Sequence, residues 1–149
     1  VTALRATLAE LPGLVGRELG PTPFREMTQG DVDAFAALTG DAQWIHVDAE
    51  RAAPFGGTIV HGLLILGLLG GVWGDLLDVA DARRALNYGL DRVRFLAPVP
   101  VGARIAAAAT LAAADARVDG IRLTLDVRFL VHGADRPAVV AASLVLFQH

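Results

Sequence analysis

Hydrophobic and polar positions change their period part-way along the chain. Up to about residue 77 apolar residues recur at helical spacing, and beyond about residue 90 they alternate. Leu4, Leu8 and Leu11 predict a short amphipathic helix over 3–10, after which Pro12, Gly13, Gly20, Pro21 and Pro23 break the chain. "TPFREMT" suits one short strand. Thr28 is the expected cap of a helix whose apolar face is Val32, Phe35, Ala36 and Leu38 and whose stop is Gly40. Asp31 occupies the capping-box position where Glu or Gln is usual. "DAERAA" predicts one helical turn, capped by Asp48 and closed before Pro54, and a long apolar helix is predicted from about Thr58 to Leu77.

The second half reads as strands. In "LDRVRFLAPVP", Val93 and Phe95 alternate with Arg92 and Arg94; in "RLTLDVRFLV", Leu123, Leu125, Val127, Phe129 and Val131 alternate with Thr124, Asp126 and Arg128. "ARIAAAATLAAADARV" has the composition of a helix. Its place between two strands, bracketed by Gly102 and Gly120, favours a strand, and it is taken as one. "AVVAASLVLF" is apolar nearly throughout, as a central buried strand would be. Helices first, one apolar helix in the middle and antiparallel strands after it make an α+β plan, a sheet wrapped round a helix. The 149 residues are expected to form one domain, with 1–20 as a helical extension.

Composition adjusts this picture in three places. Apolar residues make up 54% and charged residues 19%, more buried surface than a monomer of this size needs, so a homodimer is expected. A net charge of -3 with no Lys/Arg run argues against a nucleic-acid partner. Cysteine is absent, which removes disulfides, thiolate nucleophiles and cysteine metal sites. The first 20 residues lack the apolar core of a signal peptide, so a cytoplasmic location is expected. Residues 55–74, "FGGTIVHGLLILGLLGGVWG", carry no fixed charge and are long enough to span a bilayer, with Gly67/Gly71 and Gly70/Gly74 at small-xxx-small spacing. The Gly-Gly turn, His61, the terminal Asp75 and the lack of flanking basic residues favour instead a glycine-faced helix covered by a sheet, with no membrane span.

The candidate chemistry lies in "TGDAQWIHVDA", residues 39–49. Asp41 and His46 are the residue types best suited to handling a proton near neutral pH, and together they can hold one water between a base and a donor. Taken singly, Asp41 reads as a turn residue, His46 as a hydrogen-bonded core residue and Asp48 as a cap. A zinc site needs a further ligand; His61 is the nearby candidate, but no HxH or HExxH pattern is present, so no metal is expected. In "TIVHGLL" the apolar helix begins, and the free amide at Gly62 would suit a developing oxyanion equally well as close packing on the sheet. His61 fits a structural histidine at the helix start or a contact to the substrate. Asn87 and Tyr88 could line a site, and Arg92 and Arg94 could meet phosphates or simply face solvent.

"FAALTGDAQWIHVDAERA" followed by "GTIVHGLLILGLL" resembles the MaoC-like, (R)-specific enoyl-CoA hydratases and 3-hydroxyacyl-thioester dehydratases of the hotdog fold. Their motif is an aromatic residue, then Gly-Asp-x-Asn-Pro-aliphatic-His, then Ala or Ser six residues on; Phe35, Gly40, Asp41, Ile45, His46 and Ala52 match. "NYGLDRVRFLAPVPVGARI" is similar to the family's R-F-x-x-P-V-x-x-G strand, and the likeness runs from about Phe24 to Phe147. The resemblance implies water activated by Asp41 and His46, the thioester oxygen held at the Gly62 amide, a coenzyme A or acyl-carrier-protein thioester as substrate, and no separate cofactor. Two departures stand out. Gln43 and Trp44 replace Asn-Pro, which loosens the loop unless Trp44 packs, and Gly70 stands where several members have serine, which implies a deeper acyl pocket. A hotdog thioesterase and a non-catalytic acyl-thioester-binding subunit remain the alternatives.

Overall fold

The computed structural model describes residues 2–149. Five antiparallel strands run in the order β2–β6–β7–β8–β5: β2 is Glu18–Leu19, β5 Arg84–Phe95, β6 Arg104–Arg117, β7 Gly120–Val131 and β8 Val139–Gln148. The short β3, Arg25–Glu26, pairs with the same edge of β6 as β2 does. The alternation read in β7 places Leu123, Leu125, Val127 and Phe129 in the core.

β6 is a strand despite its alanines, and the reason is tertiary. Ala106, Ala107, Ala108 and Ala109 are all buried, so successive residues pointing to opposite faces of the sheet are both covered. The Ala107 backbone is fixed by Thr22, whose hydroxyl accepts from its N–H at 3.0 Å and whose own N–H donates to its carbonyl at 2.8 Å. Pairing on both edges and burial together outweigh a helix preference of less than about 1 kcal/mol per residue.

Two helix expectations are corrected. Over 3–10 the chain is not one helix: Leu4–Ala6 form β1, parallel to β4 (Leu77–Val79), and a 3-10 helix follows over Leu8–Leu14. The boundary is set at Thr7, where Glu10 accepts from the Thr7 N–H and hydroxyl, both at 2.8 Å; Pro12 then denies the segment a donor for α-helical bonding. The central helix begins at Gly62 rather than Thr58 and is interrupted, as α4 (Gly62–Gly67) and α5 (Leu69–Leu76). Residues 58–60 are extended: Val60 donates to Val99, Val101 donates to Thr58 and Ile59 bridges Pro100. Their β-branched side chains favour that form. The break falls at Leu68, whose N–H turns to Ile65 at 3.1 Å in a tighter turn between glycines.

The earlier helix, α1 (Gln29–Thr39), has the expected ends. The Thr28 side chain accepts from the Asp31 N–H, Asp31 answers the Thr28 N–H at 3.0 Å, and Gly40 closes the helix in the left-handed region at φ 79°. Two single turns follow, α2 (Trp44–Val47) and α3 (Ala49–Ala52), the latter capped by Asp48.

The central helix lays Ile65, Leu66, Leu69, Trp73 and Leu76 into the core, α4 packing on β8 and α5 on β6. Its other face, Leu63 with Gly67, Gly70, Gly71 and Gly74, is exposed. Among the described residues no helix is long and apolar enough to cross a membrane. The edge strand β5 is exposed along most of its length, with Leu86, Tyr88, Leu90 and Phe95 all open.

Candidate active site

The loop after Gly40 and the extended 58–60 segment lie side by side, tied by the Ile59 N–H donating to the Ile45 carbonyl at 3.0 Å. This contact brings Asp41, His46, His61 and Gly62 into one cleft of about 300 Å³, walled by Ile65, Phe95 and Val139 among others.

His46 is buried, and its Nδ1 lies 2.7 Å from the Ile59 carbonyl. A carbonyl can only accept, so Nδ1 carries a proton, and in the neutral ring Nε2 is then the acceptor. The backbone of His46 is held as well: the Gln29 amide donates to its carbonyl at 2.8 Å, and Thr58 donates to the other end of Gln29 at 2.7 Å. Asp41 follows the helix stop with its side chain about half exposed (51%) and a carboxylate oxygen 3.9 Å from His61 Nε2.

His61 lies deeper, 2% exposed. Its Nε2 is 2.9 Å from the backbone carbonyl of Asp41, and its ring stacks on His46 with centroids 3.7 Å apart and planes 23° from parallel. Gly62 opens α4. Among the described residues its amide donates to no backbone carbonyl, as the first turn of a helix requires. A side chain here would collide with the Phe95 ring, since a Cβ would lie 2.5 Å from it, so glycine is what lets β5 approach the start of the helix.

Asp41, His46 and His61 place one ligand atom each within 4.8 Å of one another, so the fold supplies the third candidate donor that sequence spacing did not. The donor set fits a metal poorly. Two rings stacked 3.7 Å apart and 23° from parallel cannot aim their in-plane lone pairs at one ion about 2.0–2.1 Å away.

The remaining sequence candidates separate. Gly70, Asn87 and Tyr88 line a second cleft of about 300 Å³ with Gly67, Leu90 and Ser143. α4–α5, β5 and β8 each run from the first cleft to the second. Trp44 lies on the outer side of the loop, its ring 5.5 Å from Phe55 and under the Arg51 guanidinium at 4.8 Å. It takes the first helical position of α2, which proline would otherwise suit, and packing replaces the ring constraint. Arg92 pairs with Asp126 at 3.0 Å and Arg94 turns to the Val93 carbonyl at 2.7 Å; neither is among the residues lining the first cleft. Gln29, Phe95 and the Ile59 carbonyl were missed. Phe95 stood inside the quoted strand motif, but Gln29 carried no signal beyond its place at a helix start.

The MaoC-like domain family matches residues 10–128. The chain belongs to that family. Among relatives of this MaoC-like protein, the 3-hydroxyacyl-thioester dehydratase Z of Mycobacterium tuberculosis is 42% identical over 144 residues, covering 95% of each chain. Nodulation protein N of Rhizobium leguminosarum bv. viciae is 38% identical over 147 residues, covering 95% of this chain and 91% of its own. The solved (R)-hydratase of A. caviae, described as involved in PHA biosynthesis, superposes with a TM-score of 0.73 at 27% identity, over 89% of this chain and 96% of its own. The fold is the hotdog fold, and the family is one of dehydratases and hydratases.

Proposed function

We propose that this MaoC-like protein reversibly hydrates trans-2-enoyl thioesters to (R)-3-hydroxyacyl thioesters. The observation that carries the reading is the 2.7 Å contact between His46 Nδ1 and the Ile59 carbonyl. With the Nδ1–H of the neutral ring donated to that carbonyl, Nε2 is an acceptor, and the carboxylate of Asp41 beside it is an acceptor too. A water between them donates both hydrogens and turns its lone pairs outward as a nucleophile. This differs from the base-and-donor pair expected from residue types alone, because the resting pair is two acceptors.

The water oxygen bonds to the β-carbon as its proton passes to the pair. The π electrons move through the α-carbon to the thioester oxygen, where the Gly62 amide stabilises the charge by about 3 kcal/mol. The pair then returns a proton to the α-carbon, and dehydration is the reverse. Water adds and no electrons are gained or lost overall, so the reaction requires no redox cofactor. Coenzyme A or an acyl carrier protein enters as part of the substrate.

The acyl chain would run along α4–α5 toward Gly67 and Gly70, where Asn87, Tyr88 and Ser143 line the second cleft. The exposed apolar edge of β5 and the bare glycine face of the helix suit burial against a second copy, giving a homodimer. The names of the mycobacterial dehydratase and the A. caviae (R)-hydratase support the same chemistry.

The test is a crotonyl-CoA assay that follows loss of the conjugated thioester absorbance and free thiol in parallel, with the product offered to R- and S-specific dehydrogenases. Loss of conjugation without thiol, giving R product, is the expected result. Thiol release would make the protein a thioesterase, and S product would reject the stereochemistry.

A further inference from the structure

We infer that His61 is a positioning residue, holding Asp41 and His46 at their working separation by gripping the backbone of one and the ring face of the other. Its kinetic consequence rests on the hydratase reading; its structural consequence does not.

His46 is tied at three points, and two of them leave it free to move. The hydrogen bond from Nδ1 to Ile59 fixes one edge of the ring, and Gln29 fixes the backbone carbonyl. Turning the ring about Cβ–Cγ, a pivot that one hydrogen bond alone opposes, would break that contact, free the tautomer and swing Nε2 through the cleft. The stack against His61 at 3.7 Å, itself backed by the Phe35 ring at 4.9 Å, blocks the pivot.

Asp41 needs a similar hold. It lies outside any helix or strand, its side chain is half exposed, and its own N–H reaches Thr39 only at 3.4 Å. The His61 Nε2–H donating to its carbonyl at 2.9 Å ties this residue to the interior. The carbonyl can only accept, so a proton is on Nε2, and in the neutral ring Nδ1 is left as a buried lone pair with no hydrogen-bond partner among the described residues. A residue present for packing alone would be better as Phe or Leu, which leave no orphaned nitrogen. Imidazole combines a flat face for His46 with an N–H for Asp41, and that pairing accounts for it here.

Two variants separate the two grips. His61→Phe keeps a flat face and loses the N–H; His61→Gln keeps an N–H near the same place and loses the face. Each is expected to lower kcat by about 10–100-fold, the scale of a displaced catalytic group, with KM changed far less. In 15N-labelled protein, wild-type His46 should show a protonated Nδ1 in a single state. His61→Gln should show exchange or a mixture of tautomers at His46. Wild-type kcat in both variants, or an unchanged His46 nitrogen spectrum in His61→Gln, would overturn the inference. So would losses that disappear once activity is normalised to folded protein. If the wild type proves inactive on enoyl thioesters, the hydratase reading falls and the nitrogen spectra still decide the role of His61.

Discussion

The two clefts along the central helix are built in opposite ways. At the Gly62 end, Asp41, His46 and His61 are held by hydrogen bonds from three separate segments and a stacked pair of rings. At the Gly70 end, the wall is glycine on one side and the exposed edge strand on the other, with Leu90 and Tyr88 open to solvent. Chemistry needs atoms fixed to fractions of an ångström, whereas an acyl chain needs space. In the proposed reaction the first requirement would be met inside one chain. The second would be met by leaving side chains out, and the open edge leaves room for a second copy to close it.

The largest effects should fall at the first cleft. Asp41→Asn and His46→Gln are each expected to cost at least about two orders of magnitude in turnover, in protein whose circular dichroism and oligomeric state are unchanged. Near-wild-type turnover in either variant would remove the contrast between the two ends. Gly62→Ala should follow, at about a tenfold loss in kcat/KM: the new methyl collides with the half-exposed Phe95 ring, which has to swing away from the amide proposed to hold the thioester oxygen. A melting temperature close to wild type would locate that loss in the site rather than in the fold.

Gly70→Val probes the other end. A Cβ at Gly70 meets nothing within 4 Å in the single chain, so the substitution narrows the second cleft, with the oligomeric state measured in parallel to show that the proposed dimer holds. Turnover of crotonyl-CoA should hold while kcat/KM for a medium-chain enoyl thioester drops by about tenfold. Equal loss on both substrates would place the acyl chain elsewhere.

The smallest effect concerns acid. The Thr28 N–H, with help from the Thr28 hydroxyl and Arg25, holds the Asp31 carboxyl below its usual range. A depressed carboxylate contributes stability that is complete above its unfolded pKa and disappears as pH falls through the folded one. α1 should therefore lose the Asp31 half of its capping box below about pH 4, and Asp31→Asn should flatten that part of the stability profile measured by urea denaturation. An unchanged profile in the variant would show that the cap contributes nothing at acid pH.

Sequence alone was enough for the elements with local causes. Thr28, Asp31 and Gly40 set the ends of α1 because cap and backbone are neighbours, and the alternation of Leu123 to Phe129 set the faces of β7 because pleating has a period of two. The Asp41–His46 spacing, with its family resemblance, pointed to the loop on which the proposed chemistry rests. Tertiary structure decided the rest. Residues 58–60 became extended by pairing with 99–101, and the alanines of β6 became a strand by pairing on both edges. Gln29 entered the site only through a partner 17 positions away. Above all, the tautomers of His46 and His61 are set by the backbone carbonyls of Ile59 and Asp41. Every residue carries a carbonyl, so no letter in the sequence marks the two that matter; only folding brings them within hydrogen-bonding distance of an imidazole.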